Sequence, residues 1–406
     1  MHINCIKCGT ATSIETEIDL DSFGCPNCKQ LFRYNGDLKF SKQFDYHPLD
    51  IILEIGKKAI FDTIEYEVVN RLIKKFHSIY YWREYTLKSK NGKVIFLSES
   101  DGHWILLEEI PDKYETFRKF KTLTYNDVKY NLFEHSQCDI VSAAGFFDYK
   151  LPTSHIQIIE YISPPNIISI EKYEGSETTF FGRHVSKSEI KKALGNLPLP
   201  SRTLVGAIQP FAINLYNAAI VFCVISILIL VTQLFVNQNR TETHVLSKEF
   251  SFAEFDSKDF VSESFTLEGG SAPITISVHS DVDNSWANAQ IALVNETTND
   301  EIYASKDIEY YKGYTDGESW SEGSQGEKFN ICGVGEGKYH LVITPQKQPN
   351  DITNNKMSVI AVWKKPSMWN FFISVLIMGI SLAAIYFANK FFENRRWESS
   401  DYSPFQ

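Results

Sequence analysis

Leu215–Val236 reads LYNAAIVFCVISILILVTQLFV, 22 residues without a charged side chain. At 1.5 Å per residue a helix of that length covers roughly the 30 Å of bilayer hydrocarbon, so the stretch predicts a transmembrane helix within residues 211–236. A helix buried in a soluble core would run shorter and show a polar stripe. Residues 369–387, WNFFISVLIMGISLAAIYF, form a second such run, closed by Asn389, Lys390, Arg395 and Arg396. This predicts a second membrane helix over 368–390 and a tail of 391–406. Trp363, Trp369, Tyr386 and Trp397 stand at its ends, where amphipathic rings favour the membrane interface.

Two crossings place both termini on one side and residues 240–365 on the other. Basic residues decide the side only weakly. Lys191, Lys192 and Arg202 precede the first helix and Lys390, Arg395 and Arg396 follow the second, while Lys364 and Lys365 lie on the opposite flank. The amino-terminal cysteines decide it better. Cys5 and Cys8 form one CxxC pair and Cys25 and Cys28 another, with residues 9–24 between them, the spacing of a ribbon that holds Zn²⁺ tetrahedrally. Gly9 after Cys8, and Pro26 with Asn27 inside the second pair, suit the two tight turns. Four thiolates need a reducing compartment, so the termini are expected in the cytosol of a cytoplasmic membrane. The metal would be structural, because no ligand position is left for water and a segment of residues 1–40 is too small to fold on its own core. Cys138, Cys223 and Cys332 are isolated and receive no role.

The chain has 406 residues and a formal charge of −10, too long for one core and too acidic for a general nucleic-acid surface. Residues 237–367 hold 11 basic and 20 acidic side chains, −9 of that total, so the outer domain carries nearly the whole imbalance. The start MHINCIKCGT has no basic region followed by an apolar stretch, so no cleavable signal peptide is expected.

The 29 Phe and 20 Tyr alternate with Ile, Val and Thr in short runs, which favours strands outside the membrane. IEYEVVNRLIKK, YYWREYTLKSK, KVIFLSES and HWILLEEI are separated by turns that include Asn91-Gly92 and Asp101-Gly102, the sequence of an antiparallel meander. About five short strands here would curl into a small barrel or bent sheet. On one strand Trp82 and Glu84 share a face and Tyr85 takes the other. Glu84 is either a general base with a partner that no spacing identifies or a carboxylate paired with a nearby Lys or Arg. His77, His103, His135, His155 and His184 show no metal-ligand spacing. Ser186-Lys187-Ser188-Glu189 reads as a capping box opening a helix that stops at Gly195. Pro198, Pro200 and Pro210 mark a linker over 197–210.

These stretches, with Gly56, Trp82, Glu84, Tyr85, Gly102 and Trp104 and the later YISPPNIISIEKYEGSETTFFGRHVSKSEIKKAL, resemble the bacterial domain-of-unknown-function family numbered 4178. The resemblance covers residues 51–194 within a domain of 51–196. It implies architecture, a cysteine ribbon in front and membrane helices behind, together with a setting in envelope stress. It implies no chemistry.

Residues 250–362 again read as seven or eight strands with polar turns, predicting an extracytoplasmic β-sandwich of jelly-roll type. Within YKGYTDGESWSEGSQGE, a long loop around Trp320 could offer Asp316, Glu318 and Glu322 to a divalent cation, or be a solvated acidic hairpin; Trp286 or Trp320 could stack on a carbohydrate. No GxSxG elbow or phosphate loop is present, and Gly333–Gly337 lacks the setting of a dinucleotide fingerprint. The fold class expected is therefore a mainly β multidomain membrane protein: zinc ribbon, cytosolic antiparallel barrel-like domain, two transmembrane helices and an outer sandwich. The function expected is an adaptor or sensor in the lipid bilayer, with a cytosolic protein partner and no nucleic acid. The other reading is an enzyme with its site near Glu84 and Tyr85.

Overall fold

The computed structural model describes all residues except 46, 77–79, 115–119, 153, 239–241, 365–367 and 406. His77 and Lys365 therefore lie outside the described residues. The chain divides into two compact units, Met1–Leu215 with Ala383–Gln406, and Tyr216–Leu382.

In the first unit the cysteine segment contributes β1 (His2–Asn4), β2 (Ala11–Ser13), β3 (Ser22–Gly24), β4 (Gln30–Tyr34) and β5 (Leu38–Gln43). Next come β6 (Lys58–Phe61), β7 (Ile64–Phe76), β8 (Tyr80–Ser89), β9 (Val94–Ser100) and β10 (His103–Ile110). A short β11 (Thr122–Tyr125) precedes β12 (Val128–Phe147), which is followed by β13 (Ile156–Ser163), β14 (Asn166–Tyr173), β15 (Ser176–Val185) and helix α1 (Lys187–Leu194). Around the sheet the order is β7-β8-β9-β10-β15-β14-β13-β12, and β12 pairs back onto β7. Eight antiparallel strands thus close into a barrel.

Strands β6 to β10 form the antiparallel meander expected over residues 51–110, but these strands alone do not make the barrel. Only four of its strands come from that stretch, and closure needs the 20-residue β12. The length of β12 is masked in the sequence because its alternation breaks at two irregularities, Leu132/Glu134 and Ile140/Ser142. Bulges re-aim a strand. Here residues 131–138 pair with β13, residues 139–145 with β7, and Gly145–Phe147 with β3. The cysteine segment is consequently continuous with the barrel sheet.

Period-2 alternation places one set of side chains inside the barrel and the other outside. The outward residues Tyr66, Val68, Tyr85, Leu87, Leu97, Trp104 and Leu106 pack with Leu53, Phe61, Ile190 and Leu194. Helix α1 provides two of those contacts and is capped as its sequence foretells: Glu189 N–H donates to Ser186 Oγ at 3.1 Å, and Gly195 takes φ 81° at the C-cap. The Glu189 carboxylate does not close the box; it pairs with Arg183 at 2.7 Å. Residues 197–210 lie along the barrel, with Thr203 N–H donating to Asp101 O at 3.0 Å and Ile208 buried. A Cβ on Gly102 would meet Ser201 O at 2.5 Å, so this close approach requires glycine.

The second unit begins with α2 (Leu215–Asn237). It continues through β16 (Thr243–Ser251), α3 (Phe252–Phe255), β17 (Phe260–Val261), β18 (Phe265–Leu267), β19 (Ala272–Ser280) and β20 (Ser285–Asn295). After these come β21 (Glu301–Thr315), β22 (Glu318–Ser324), β23 (Gly326–Val334), β24 (Gly337–Lys347), β25 (Lys356–Trp363) and α4 (Trp369–Trp397), whose residues from Ala383 onward belong to the first unit. One antiparallel sheet runs β16-β25-β19-β23; the other runs β17-β24-β20-β21-β22, with β18 also on β24. Ile274, Ile276 and Val359 of the first sheet share one core with Ala289, Ile291 and Leu341 of the second. The glycine-rich stretch around Trp320 is a two-stranded hairpin rather than a long loop. β21 and β22 pair through Thr315↔Glu318, and Asp316 and Gly317 take φ 52° and 90° in the turn. Trp320 packs over Gly313 and donates from Nε1 to Thr315 Oγ1 at 3.2 Å.

Helices α2 and α4 are long and apolar enough to cross a membrane, with mean hydropathies of 2.8 and 2.3, and no part of either apolar window is buried in protein. α4 does not end near residue 390 but continues unbroken to Trp397.

Candidate functional site

Two turns present the cysteines. The four Sγ atoms lie within 4.8 Å of one another, with Cys5–Cys28 and Cys8–Cys25 each at 3.6 Å. A tetrahedron with Zn–S bonds of about 2.3 Å has edges of about 3.8 Å, so this donor set is compatible with a metal ion. Hydrogen bonding to the Thr10 hydroxyl and then its backbone lowers the Cys8 thiol to about 6, whereas burial pushes Cys25 up to about 12. Ligation needs thiolates at both positions, which a bound cation would favour. Among the described residues this is the one group of His, Cys, Asp and Glu side chains gathered closely enough to share an ion. Asp316, Glu318 and Glu322 are not brought into such a group.

The cysteine segment is fastened to the barrel by a carboxylate that sequence reasoning missed. Glu67, on β7 and 6% exposed, accepts from Thr16 N–H at 2.8 Å, Thr16 Oγ1 at 2.7 Å and Glu15 N–H at 2.9 Å. Phe23, Phe32, Val69 and Phe146 form the apolar part of the joint.

Inside the barrel is a cavity of about 350 Å³, lined from all eight strands. Its wall includes Leu72, Phe96, Leu107, Ile140, Ile158 and Phe180, and its charged groups are Lys74, Glu84, Glu109, Asp148, Glu160 and Glu171. Lys74 on β7 reaches Glu84 on β8 at 2.8 Å and Glu171 on β14 at 2.6 Å, so the ion triad crosses the lumen. Burial acts to lower the Lys74 pKa, but Glu171 and Glu84 outweigh it and hold the ammonium well above its ordinary value. Trp82 Nε1 donates to Glu84 Oε1 at 2.7 Å. Glu84 is thus a strand carboxylate paired with a lysine.

Tyr85, as the alternation requires, points away from the lumen. It is fully buried and stacks near Trp104, with ring centroids 6.5 Å apart, and burial raises its phenol to about 12. Glu84 and Tyr85 therefore do not share a pocket. Glu160 on β13 is different again. Among the described residues its carboxyl has neither a hydrogen-bond nor an ion-pair partner, and it stands directly across from Glu134 on β12. Burial first, then Glu134, Glu171 and Glu84, push it up to about 8 against the opposing pull of Lys74. The sequence signal for these groups was a charge at an inward position of a largely aliphatic strand: Lys74 in RLIKK, Glu160 in IIEYI and Glu171 in ISIEK. Which strands face each other across the lumen could not be read from them. Of the histidines considered, His103 Nε2 contacts Thr203 O at 3.0 Å, His155 pairs with Asp139, and burial lowers His184 to about 4.

A second device lies within the first unit, at the carboxyl-terminal end of α4. Arg396, 1% exposed, donates to Gly206 O at 2.8 Å, Ala207 O at 2.7 Å and Gln209 O at 2.5 Å, and pairs with Glu393 at 2.9 Å. Trp397 packs with Ile162, Ile167 and Ile208, and Ser400 Oγ donates to Phe133 O at 2.6 Å. In the sequence Arg396 reads as a flanking positive charge; its guanidinium instead organises three backbone carbonyls.

Residues 54–187 match the family DUF4178, a domain of unknown function. No curated protein matches the chain. Among solved structures, that of the infectious bursal disease virus Gx strain is 9% identical, covering 79% of this chain and 72% of that one, with a TM-score of 0.14. Trypanosoma rangeli sialidase in complex with sialic acid is 8% identical, covering 93% and 88%, with a TM-score of 0.12. Scores this low carry no argument about fold.

Proposed function

With a DUF4178 domain at residues 54–187 as the premise, we propose that the chain is a two-span adaptor or sensor of a bacterial cytoplasmic membrane. The domain of residues 240–365 lies outside, and the barrel with its zinc-bearing cysteine segment faces a protein partner in the cytosol. The reading rests above all on the Arg396 clamp. A helix long enough to cross the bilayer ends in a buried guanidinium bound to the carbonyls of residues 206–209, so its movement would be delivered to the barrel without an intervening flexible linker. Buried charges whose partners are all supplied by one geometry suit a coupling element, because losing that geometry strands them. The thiolate set and the acidity of residues 237–367 support the orientation. An outer ligand, a carbohydrate or a divalent cation, belongs to the same proposal.

Partner capture after mild crosslinking tests it. Wild type should retain one cytosolic partner, and both Arg396→Leu and deletion of residues 240–365 should alter that partner's recovery. Unchanged recovery in both variants would refute the coupling. A second reading, an enzyme acting in the lumen, draws on Glu160, whose raised carboxyl suits proton transfer near neutrality. It requires that Glu84→Gln and Glu160→Gln fail to complement a null strain.

A further inference from the structure

The charges of the barrel lumen are one-sided. One ammonium, Lys74, faces the carboxylates of Glu84, Glu109, Asp148, Glu160 and Glu171, in a cavity of about 350 Å³ whose remaining wall is largely aliphatic and aromatic. That volume falls within the range of small-molecule pockets, and apolar walls with a few convergent polar groups are their usual composition. Lys74 is already held by Glu84 and Glu171, which leaves little to attract an anion.

Glu160 has the opposite character. Its strand neighbours Ile158 and Ile162 are aliphatic, and a residue of that kind would fit the wall without an electrostatic penalty. The structure instead places an unpaired carboxyl there, directly opposite Glu134 on β12, with Glu171 of β14, Glu84 of β8 and Lys74 of β7 as its other charged surroundings. Like charges directly across a strand pair are destabilising. In the ligand-free protein the proton kept by Glu160 relieves that juxtaposition, and a cation arriving from the lumen can take its place. Nearby, Trp82 adds an indole surface suited to a cation, and Leu72, Ile140, Ile158 and Phe180 offer apolar cover to whatever the cation carries. Glu109 and Asp148, both exposed, continue the negative lining outward.

We propose that the barrel lumen binds a small organic amine, its ammonium group held by Glu160 with Glu84 and its apolar body against the aliphatic wall. The site does not depend on the membrane or sensor reading. Binding an ammonium ionises Glu160, so near neutral pH uptake of the amine is accompanied by release of the carboxyl proton to solvent.

The full chain in detergent micelles, titrated calorimetrically with phenethylamine and separately with 3-phenylpropionate, tests this, with empty micelles as the blank. These probes pair a similar apolar body with opposite charge. The expected result is saturable binding of one phenethylamine per chain and none of the carboxylate, with close to one proton released at pH 7, measured in two buffers of different ionisation enthalpy. Glu160→Gln should weaken phenethylamine at least tenfold and abolish the proton release. Ile158→Trp, which fills the lumen and leaves the carboxyl in place, should also prevent binding. The proposal is overturned if wild type gives no heat above empty micelles or if 3-phenylpropionate binds as tightly. It is equally overturned if a folded Glu160→Gln or Ile158→Trp variant binds as wild type does.

Discussion

Glu160→Gln should stabilise the ligand-free protein, and increasingly so as pH rises. The Glu160 carboxyl is raised from 4.5 to about 8. Its folded pKa therefore lies above its unfolded one, and between those values the folded chain keeps a proton that the unfolded chain gives up. Stability must then fall as pH rises through this window. At about 1.4 kcal/mol per unit, the decline between pH 5 and pH 8 is roughly 3 kcal/mol. For a unit of this size that corresponds to about 6–12 °C in Tm. Glutamine keeps the shape without the charge, so its own curve lacks this component. The assay is thermal unfolding of both proteins in micelles from pH 5 to pH 8.5, followed by circular dichroism. His47, His103 and His184, whose pKa values are lowered chiefly by burial, act in the opposite direction. Their stabilisation is lost as pH falls, but it is common to both proteins and cancels in the difference. A difference between variant and wild type that stays flat across this range would refute the assignment of Glu160 as an unpaired, half-buried acid.

Other outcomes follow from named contacts. Glu67→Ala leaves the Thr16 N–H, Thr16 Oγ1 and Glu15 N–H without their acceptor; it should cost about 2–4 kcal/mol and release residues 1–20 to faster hydrogen exchange. Arg396→Leu removes the donor to Gly206, Ala207 and Gln209 and leaves Glu393 unpaired; about 3–5 kcal/mol of local stability should go, seen as proteolysis within residues 197–211. Cys25→Ser should abolish retention of a metal ion, read by elemental analysis against wild type with one ion per chain, and should loosen the Phe23–Phe146 contact. Gly24→Val should lower Tm sharply, because a Cβ there meets Ala143 O at 2.4 Å and the obstruction is backbone.

The legible features were those set by local chemistry. The spacing of Cys5, Cys8, Cys25 and Cys28 implied convergence, and their sulfurs do converge. The uninterrupted apolar runs became the two apolar helices, and Ser186 with Gly195 bounded α1. What could not be read was set by long-range registry. β12 pairs with four different strands, β11, β13, β7 and β3, across two irregularities, so the alternation that identifies ordinary strands fails in the one that closes the barrel. The Lys74–Glu171 pair joins residues 97 apart, and local periodicity holds no information about such a partner. Arg396 misled for a related reason: flanking an apolar run it looks like an interfacial charge, and only the docking of residues 206–209 turns it into a buried anchor.

The proposed topology meets its most direct test at Cys332, an exposed thiol within residues 240–365. A membrane-impermeant maleimide applied to intact spheroplasts should label wild type at Cys332 and leave Cys332→Ser unlabelled, with the cysteines at positions 5, 8, 25 and 28 reached only after lysis and metal removal. Labelling of those four before lysis while Cys332 stays protected, or recovery of the whole chain in the soluble fraction, would contradict the account.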